Sequence, residues 1–273
     1  MSFEAAAAIL RETKHLLISA GAGMGVDSGL PDFRGNAGFW QAYPPYQRLG
    51  LSFVDLANPV SFDRDPELGW GFYGHRLELY RNTQPHAGFE ILRRWAAVKE
   101  SHFVFTSNVD GHFQRAGFAE DRVYEIHGSI HFLQCSLPCR RDVVPEAGLS
   151  LGVDSENMRA TTTLPTCPEC RRVARPNILM FGDGRWIEDR SMVQEDHFGR
   201  WLERVGKKPL AIIELGAGTA VPSVRMQSEE LVRRLGAKLI RINPREPKVP
   251  AGQVGLAAGS LEALGAIDAL LRA

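Results

Sequence analysis

Several residue clusters in this chain are of the types and spacings that do chemistry. All four cysteines fall into two close pairs: Cys135 and Cys139, then Cys167 and Cys170 in "CPEC". The spacing C-x3-C, 27 intervening residues, then C-x2-C is a thiolate-cage pattern. Four sulfurs with no histidine suit a closed, structural zinc site rather than an open catalytic one. Two disulfides are the competing reading, disfavoured in a reducing compartment. "GAGMGVDSGLPDFRG" spans 21–35. Glycine permits positive φ and lets a backbone approach a phosphate closely. The glycines stand at 21, 23, 25 and 29 rather than in G-x-G-x-x-G spacing, so a tight turn is the plain alternative. At the end of the loop, Asp32 can accept from a ribose hydroxyl or an amide. Phe33 can cover a flat ring, and Arg34 can hold a phosphate or a carboxylate. The alternative is a turn closed by an internal Asp–Arg pair. In "TSNVDGHFQRAG" (106–117) Asn108 and Asp110 alternate at an expected strand end, so both point the same way. An amide and a carboxylate together can hydrogen-bond a carboxamide or a sugar, against the alternative of an Asx-rich turn. In "YEIHGS" His127 is expected to end a strand, and imidazole titrates near neutrality, as a general base should. The chain has eight histidines, and a lone one is more often structural.

The elements that must position these groups follow from hydropathy and punctuation. Residues 2–14 read as a helix, and "HLLISAG" (15–21) as a buried parallel strand. Residues 36–64 are aromatic and proline-rich with weak periodicity. Asp65 caps, and Pro66 opens, a helix running to about Arg81. Residues 85–99 form an amphipathic helix, 102–109 a strand, 111–117 a helical turn and 123–128 a strand. The cysteine segment 129–180 is loop-like. "PLAIIELGAG" (209–218) is a strand running into a glycine turn. A helix over 222–236, a strand over 237–243 and a helix over 260–272 complete the chain. Strands alternating with helices imply an α/β, Rossmann-like parallel sheet with helices on both faces. The interrupted middle implies a smaller, zinc-binding lobe. The expected division is 1–35, 81–128 and 209–273 for the sheet domain, with 36–80 and 129–208 for the small one. In open α/β sheets ligands sit beyond the carboxyl ends of the strands, which is where these motifs fall.

Composition narrows the function classes. The 273 residues are 44% apolar, enough for a sizeable core. Lys plus Arg equals Asp plus Glu at 32 each, so there is no electrostatic footprint for nucleic acid or an anionic membrane. No uncharged apolar run approaches spanning length, and "MSFEAAAAILRETK" has an acid where a signal peptide has a basic region. A cytoplasmic protein is expected. No feature of the sequence sets an oligomeric state.

Taken in order, the motifs resemble those of the sirtuin family of NAD-dependent protein deacylases. "GAGMGVDSGLPDFRG" is similar to G-A-G-x-S-x-x-S-G-I-P-D-F-R-G, and "TSNVDGHFQRAG" to T-Q-N-I-D-x-L-H-x-x-A-G. "IHGS" is similar to the catalytic H-G, the four cysteines to the zinc quartet, and "RPNILMFGD" (175–183) to R-P-x-V-V-x-F-G-E. "RIN" (241–243) and "AAGSLEAL" resemble the segments beside the adenosine. The resemblance implies that Gly21, Ala22, Gly23, Asp32, Phe33, Arg34 and Ser107 bind NAD, with Gly216, Gly218, Asn243 and Ser260. It places Asn108 and Asp110 in the nicotinamide pocket, Asp110 meeting the carboxamide, and makes His127 the base for a ribose hydroxyl. Acylated-lysine proteins are the implied partners. Met180, Phe181 and Val221 would lie on the two edges that pair with substrate backbone.

The departures from the pattern concern the cofactor. Gly25 stands for a serine, Ser107 for a glutamine, and His112–Phe113 for the Leu-His pair. The family's G-T-S is either "GAG" (216–218) or "GTA" (218–220). These changes motivate an ADP-ribosyltransferase or NAD hydrolase as the alternative enzyme, and a non-catalytic NAD-sensing module as the next. Tyr73 and Arg76 in "FYGHR" are neighbours on a helix face. They resemble a Y-x-x-R motif that binds the carboxylate of succinyl- or malonyl-lysine in some members. The competing reading is an apolar stripe of Trp70, Tyr73, Leu77 and Tyr80 that Arg76 only flanks.

Overall fold

The computed structural model describes residues 2–31 and 35–273. Asp32, Phe33 and Arg34 lie outside the described residues. The helices are α1 (Phe3–Glu12), α2 (Gly35–Ala42), α3 (Pro44–Arg48), α4 (Phe53–Leu56), α5 (Val60–Arg64), α6 (Pro66–Asn82), α7 (Ala87–Ala97), α8 (His112–Arg115), α9 (Asp189–Val205), α10 (Ser223–Leu235) and α11 (Ser260–Arg272). The strands are β1 (His15–Ala20), β2 (Ser101–Thr106), β3 (Val123–Glu125), β4 (Gly128–Cys135), β5 (Val144–Pro145), β6 (Val153–Asp154), β7 (Arg159–Ala160), β8 (Ala174–Ile178), β9 (Leu210–Leu215), β10 (Lys238–Ile242) and β11 (Val254–Leu256).

The unbroken apolar run of β1 is explained by burial of all six of its residues. It pairs in parallel with β2 on one side and β9 on the other, Leu17 opposite Phe103 and Ile212. The sheet order is β11-β10-β9-β1-β2-β3, every pairing parallel. Alternate residues of β1 serve opposite layers. Leu16 and Ile18 pack with Leu10 of α1, Leu92 and Trp95 of α7 and Ile267 of α11. Leu17 packs with Phe103, with Phe198 and Trp201 of α9, and with Leu231 of α10. This is the expected doubly covered sheet. The sequence division at 208 assigns α9 to the smaller lobe, whereas its buried Phe198, Trp201 and Val205 pack on the sheet. Amphipathic periodicity does not state which surface receives the apolar face.

The second lobe has its own core, rich in aromatic rings: Phe39, Tyr43, Tyr46, Phe62, Trp70, Phe72 and Tyr73. The weakly periodic segment 36–64 is four short helices that wrap these rings. Asp65 caps α6 by accepting from the Leu68 amide, and Pro66 opens the helix. The cysteine segment is more ordered than its loop-like composition indicates. Here β4 pairs antiparallel with β5 and β8, and β6 with β7. These strands are short or carry proline and arginine inside, which hides the alternation that marks a strand. No helix among the described residues is long and apolar enough to cross a membrane.

Candidate active site and metal centre

The carboxyl ends of β1, β2 and β9 open onto a cavity of about 590 Å³ between the sheet and the second lobe. The loops there are locked together. The Gly21 amide donates to Leu215 O at 3.0 Å and the Gly23 amide to Gly216 O at 3.0 Å. Gly216 has φ +59°, and a Cβ on it would lie 2.3 Å from the Gly23 backbone. A Cβ on Gly21 would lie 2.8 Å from Ala217 Cα. Cβ-free positions are therefore demanded here by one loop packing on another. Gly216 follows β9 directly at positive φ, so "GAG" (216–218) stands at the strand tip.

Strand β2 ends at Thr106, so Asn108 and Asp110 lie on the following loop rather than on the strand itself. Hydrogen bonds give that loop its shape. Ser107 N and Thr106 Oγ1 donate to Ala20 O at 3.0 and 3.1 Å. Asn108 N donates to Thr106 Oγ1 at 3.0 Å, and His112 N to Asp110 Oδ1 at 2.9 Å. Residues 107–110 all line the cavity. His127 sits not at a strand end but in the turn between β3 and β4. The turn needs Gly128, whose φ is +75° and whose Cβ would meet Asn177 O at 2.1 Å. His127 faces the same cavity as Asn108 and Asp110. Burial holds its pKa below the ordinary imidazole value, so it is neutral at pH 7 and able to accept a proton.

The outer walls come from two chain edges. Residues 178–181 run from the last residue of β8, and Ala220 and Val221 follow β9. Met180 is buried, whereas Phe181 and Val221 are exposed. The first edge is held by Leu179 N donating to His127 O and Phe181 N to Ala57 O, at 2.9 and 2.8 Å. Beneath it Arg175 Nη2 grips both Asp183 oxygens at 2.8 and 2.9 Å, with neither side chain exposed. Arg175 Nη1 also donates to Ile178 O at 3.2 Å. Sequence reasoning quoted both residues inside one motif without giving them this work. The available signal was the opposite charges framing an apolar stretch.

From the second lobe, Tyr73, Arg76 and Tyr80 on α6 line the cavity with Phe53 and Val54. Arg76 is buried. Its guanidinium carbon lies 5.5 Å from the Tyr73 ring centre and 5.1 Å from that of Phe72. Of the apolar stripe, Tyr73 and Tyr80 reach the cavity beside Arg76, whereas Trp70 and Leu77 are buried in the core of the lobe. Burial pushes the Tyr73 hydroxyl up to about 12, so it stays a neutral donor.

Three of the expected cofactor residues, Gly23, Asn243 and Ser260, are outside this lining. Asn243 is fully buried and does not line the cavity. Its amide donates to Ala217 O at 2.9 Å and its oxygen accepts from Arg245 N and Glu246 N at 3.0 Å each. It ties β10 to the 216–218 turn and reaches the cavity only through that turn. Ser260, buried at the start of α11, is likewise outside the lining.

The four cysteine sulfurs lie within 4.8 Å of one another. The closest pairs are 3.5 Å apart, far beyond the ~2.05 Å of a disulfide, so all four are free thiols. A tetrahedron with Zn–S arms of ~2.3 Å has edges of about 3.8 Å. The separations of 3.5 to 3.8 Å fit such a site. The quartet is positioned to bind a metal ion at the far end of the β4–β8 sheet.

A six-stranded parallel sheet with interlocked glycine turns, roofed by a lobe holding a four-thiol centre, defines a Rossmann-like nucleotide-site architecture. A family model described as the Sir2 family matches residues 21–198, and the chain belongs to that family. The chain is 30% identical to NAD-dependent protein deacylase 1 of Archaeoglobus fulgidus, over 90% of this chain and 89% of that protein. It is 28% identical to the NAD-dependent protein deacylase of Aquifex aeolicus, over 87% of each. Among solved structures it is similar to a Sir2 homologue in complex with NAD, with a TM-score of 0.72 and 27% identity, covering 98% of this chain and 93% of that one.

Proposed function

We propose that this chain is an NAD-dependent protein-lysine deacylase that favours acyl groups ending in a carboxylate. The observation carrying the reading is the convergence of His127, Asn108 and Asp110 on one cavity whose outer walls are two exposed chain edges. The cavity and its Cβ-free turns fit a dinucleotide. NAD would supply an electrophilic ribose carbon and be consumed, leaving nicotinamide and an acyl-ADP-ribose. The residues around it have separable tasks. Gly21, Ala22, Gly216 and Gly218 admit the phosphates, with Ser107 beside them. Asn108 and Asp110 receive the carboxamide, and Asp110 orients it through an oxygen fixed by the His112 amide. Neutral His127 takes a proton from a ribose hydroxyl. The edges at Met180–Phe181 and Val221 hold the substrate backbone as an added strand, which brings the acyl oxygen to the reacting carbon. Tyr73 and Arg76 close the acyl end, where a guanidinium can pair with a carboxylate bidentately and a phenol adds a donor. Zinc in the Cys135–Cys139–Cys167–Cys170 site would be structural. The nucleotide-binding part comprises 1–35, 81–128 and 209–273, joined by α9.

The alternative, NAD hydrolysis or ADP-ribosyl transfer, is favoured by one observation. Against the motif it resembles, the chain lacks a serine hydroxyl at Gly25 and a glutamine amide at Ser107, and Ser107 lines the cavity. One experiment separates the readings. The protein is incubated with NAD and acetyl-, malonyl- or succinyl-lysine peptides, and the products are weighed. Acyl-ADP-ribose formed by the native protein and lost in His127→Ala supports deacylation. Nicotinamide release independent of peptide supports the alternative. Arg76→Met should lower succinyl-peptide turnover more than acetyl-peptide turnover, and equal loss on both contradicts the carboxylate clamp.

A further inference from the structure

The loop that carries Asn108 and Asp110 is fastened to β4 through two consecutive carbonyls. Val109 O accepts from Ile130 N at 3.0 Å, and Asp110 O accepts from His131 Nε2 at 3.0 Å. A carbonyl can only accept, so His131 carries a proton on Nε2. The same ring lies close to the next residue of the loop: a Cβ on Gly111, whose φ is +69°, would sit 2.8 Å from His131 Cδ2. On the other side of the ring, Nδ1 lies 3.6 Å from Glu146 Oε1. Glu146 is fixed in turn. Its Oε2 pairs with Arg81 and accepts from Gly148 N and Leu149 N at 2.7 and 3.0 Å. Burial opposes charge on Glu146, but Arg81 and these amides outweigh it and hold the carboxyl below its ordinary range. Neither His131 nor Glu146 belongs to any of the family motifs.

We infer that His131, oriented by Glu146, is a positioning residue that fixes Asp110 for the nicotinamide carboxamide and so sets the affinity of the site for that leaving group. This rests on the reading of Asp110 as the carboxamide partner. A carboxylate that meets a carboxamide must keep its direction as well as its place. Two ties govern both. The Asp110 carbonyl is held by the His131 ring, and Oδ1 accepts from the His112 amide at 2.9 Å. The second tie folds the carboxylate onto its own following turn and moves with the loop. The first anchors residue 110 to a different element. The backbone bond from Ile130 to Val109 is independent of the side chain at 131, so loss of the imidazole frees residue 110 without undoing the loop. Strand β4 starts at Gly128, next to His127, so one strand carries both the base and the brace of the leaving-group end. A loosened Asp110 weakens the hold on nicotinamide. It leaves alone the peptide backbone, which lies on the edges at Met180–Phe181 and Val221.

The test is calorimetric titration of nicotinamide into the protein saturated with ADP-ribose, for the native chain, His131→Leu, His131→Gln and Asp110→Ala. ADP-ribose stands in for the part of NAD that remains when nicotinamide leaves. Peptide KM and melting temperature are measured alongside. His131→Leu should weaken nicotinamide binding by roughly three- to tenfold, the size of one lost hydrogen bond. Peptide KM should stay at the native value. His131→Gln places an amide N–H near the position of Nε2 and should keep most of the native affinity. His131→Phe, a ring without an N–H, should repeat the loss if His131→Leu folds poorly. Native affinity in His131→Leu, equal losses in His131→Leu and His131→Gln, or a peptide KM that rises in step with the nicotinamide Kd would overturn the inference. If Asp110→Ala weakens nicotinamide binding while His131→Leu does not, the carboxamide reading stands and the brace alone fails. If Asp110→Ala binds nicotinamide as the native protein does, or the native protein takes up none, the carboxamide reading itself fails.

Discussion

The buried pair of Arg175 and Asp183 is a sharp test of how the substrate edge is held. Both side chains are fully enclosed, and the carboxylate accepts Arg175 Nη2 on both oxygens at 2.8 and 2.9 Å. It also accepts from Arg185 N at 3.1 Å. Asp183→Ala leaves a guanidinium buried without its counter-charge. Breaking a buried pair in this way costs about 3–5 kcal/mol, because an uncompensated charge remains in low dielectric. At ~2–4 °C per kcal/mol for domains of this size, melting should fall by roughly 6–20 °C. Replacing both partners together, Arg175→Met with Asp183→Leu, removes the charges and should recover most of the loss. Function should not recover with it. The bond from Arg175 Nη1 to Ile178 O would be gone, so residues 178–181 would be held only by the Leu179 and Phe181 amides and should sit less firmly. The assay is urea unfolding of the native protein and the single and double variants, with peptide KM measured in parallel. A single variant within about 0.5 kcal/mol of native, or a double variant less stable than the single, would refute the electrostatic account. A double variant with native peptide KM would refute the link from pair to substrate edge.

Two further outcomes follow from the site. Burial favours the neutral imidazole of His127, so the free base persists as pH falls, and the acid limb of kcat/KM should lie below the ordinary value of about 6.5. A pH–rate profile with its acid limb at or above 6.5 would contradict this. Metal analysis of the purified protein should find one zinc per chain. Removing it with a strong chelator should expose four reactive thiols and lower the melting temperature. Folded, metal-free protein of unchanged stability would contradict a structural site.

What the sequence determined by itself lies in local pattern and chemical identity. The continuous apolar runs of β1 and β9 and the 3.6-residue period of α7 and α10 need no tertiary partner to be read. The cap of α6 was legible at Asp65–Pro66, and the metal centre at the two cysteine pairs, since thiolates at that spacing have few other uses. Tertiary structure decided whatever depends on residues far apart in sequence. It assigned α9 to the sheet through Phe198 and Trp201. It moved His127 from an expected strand end into a turn whose Gly128 lies against Asn177. It also packed Gly21–Gly23 against Gly216–Ala217, a contact no local pattern announces. It also withdrew Asn243 behind that contact. Composition could not order 129–180, because paired edges only two residues long leave no period to detect. Nothing in the local sequence joins His131 to Asp110, 21 residues away. Only the fold lays β4 against the 107–111 loop, and a hydrogen bond depends on distance through space, not along the chain.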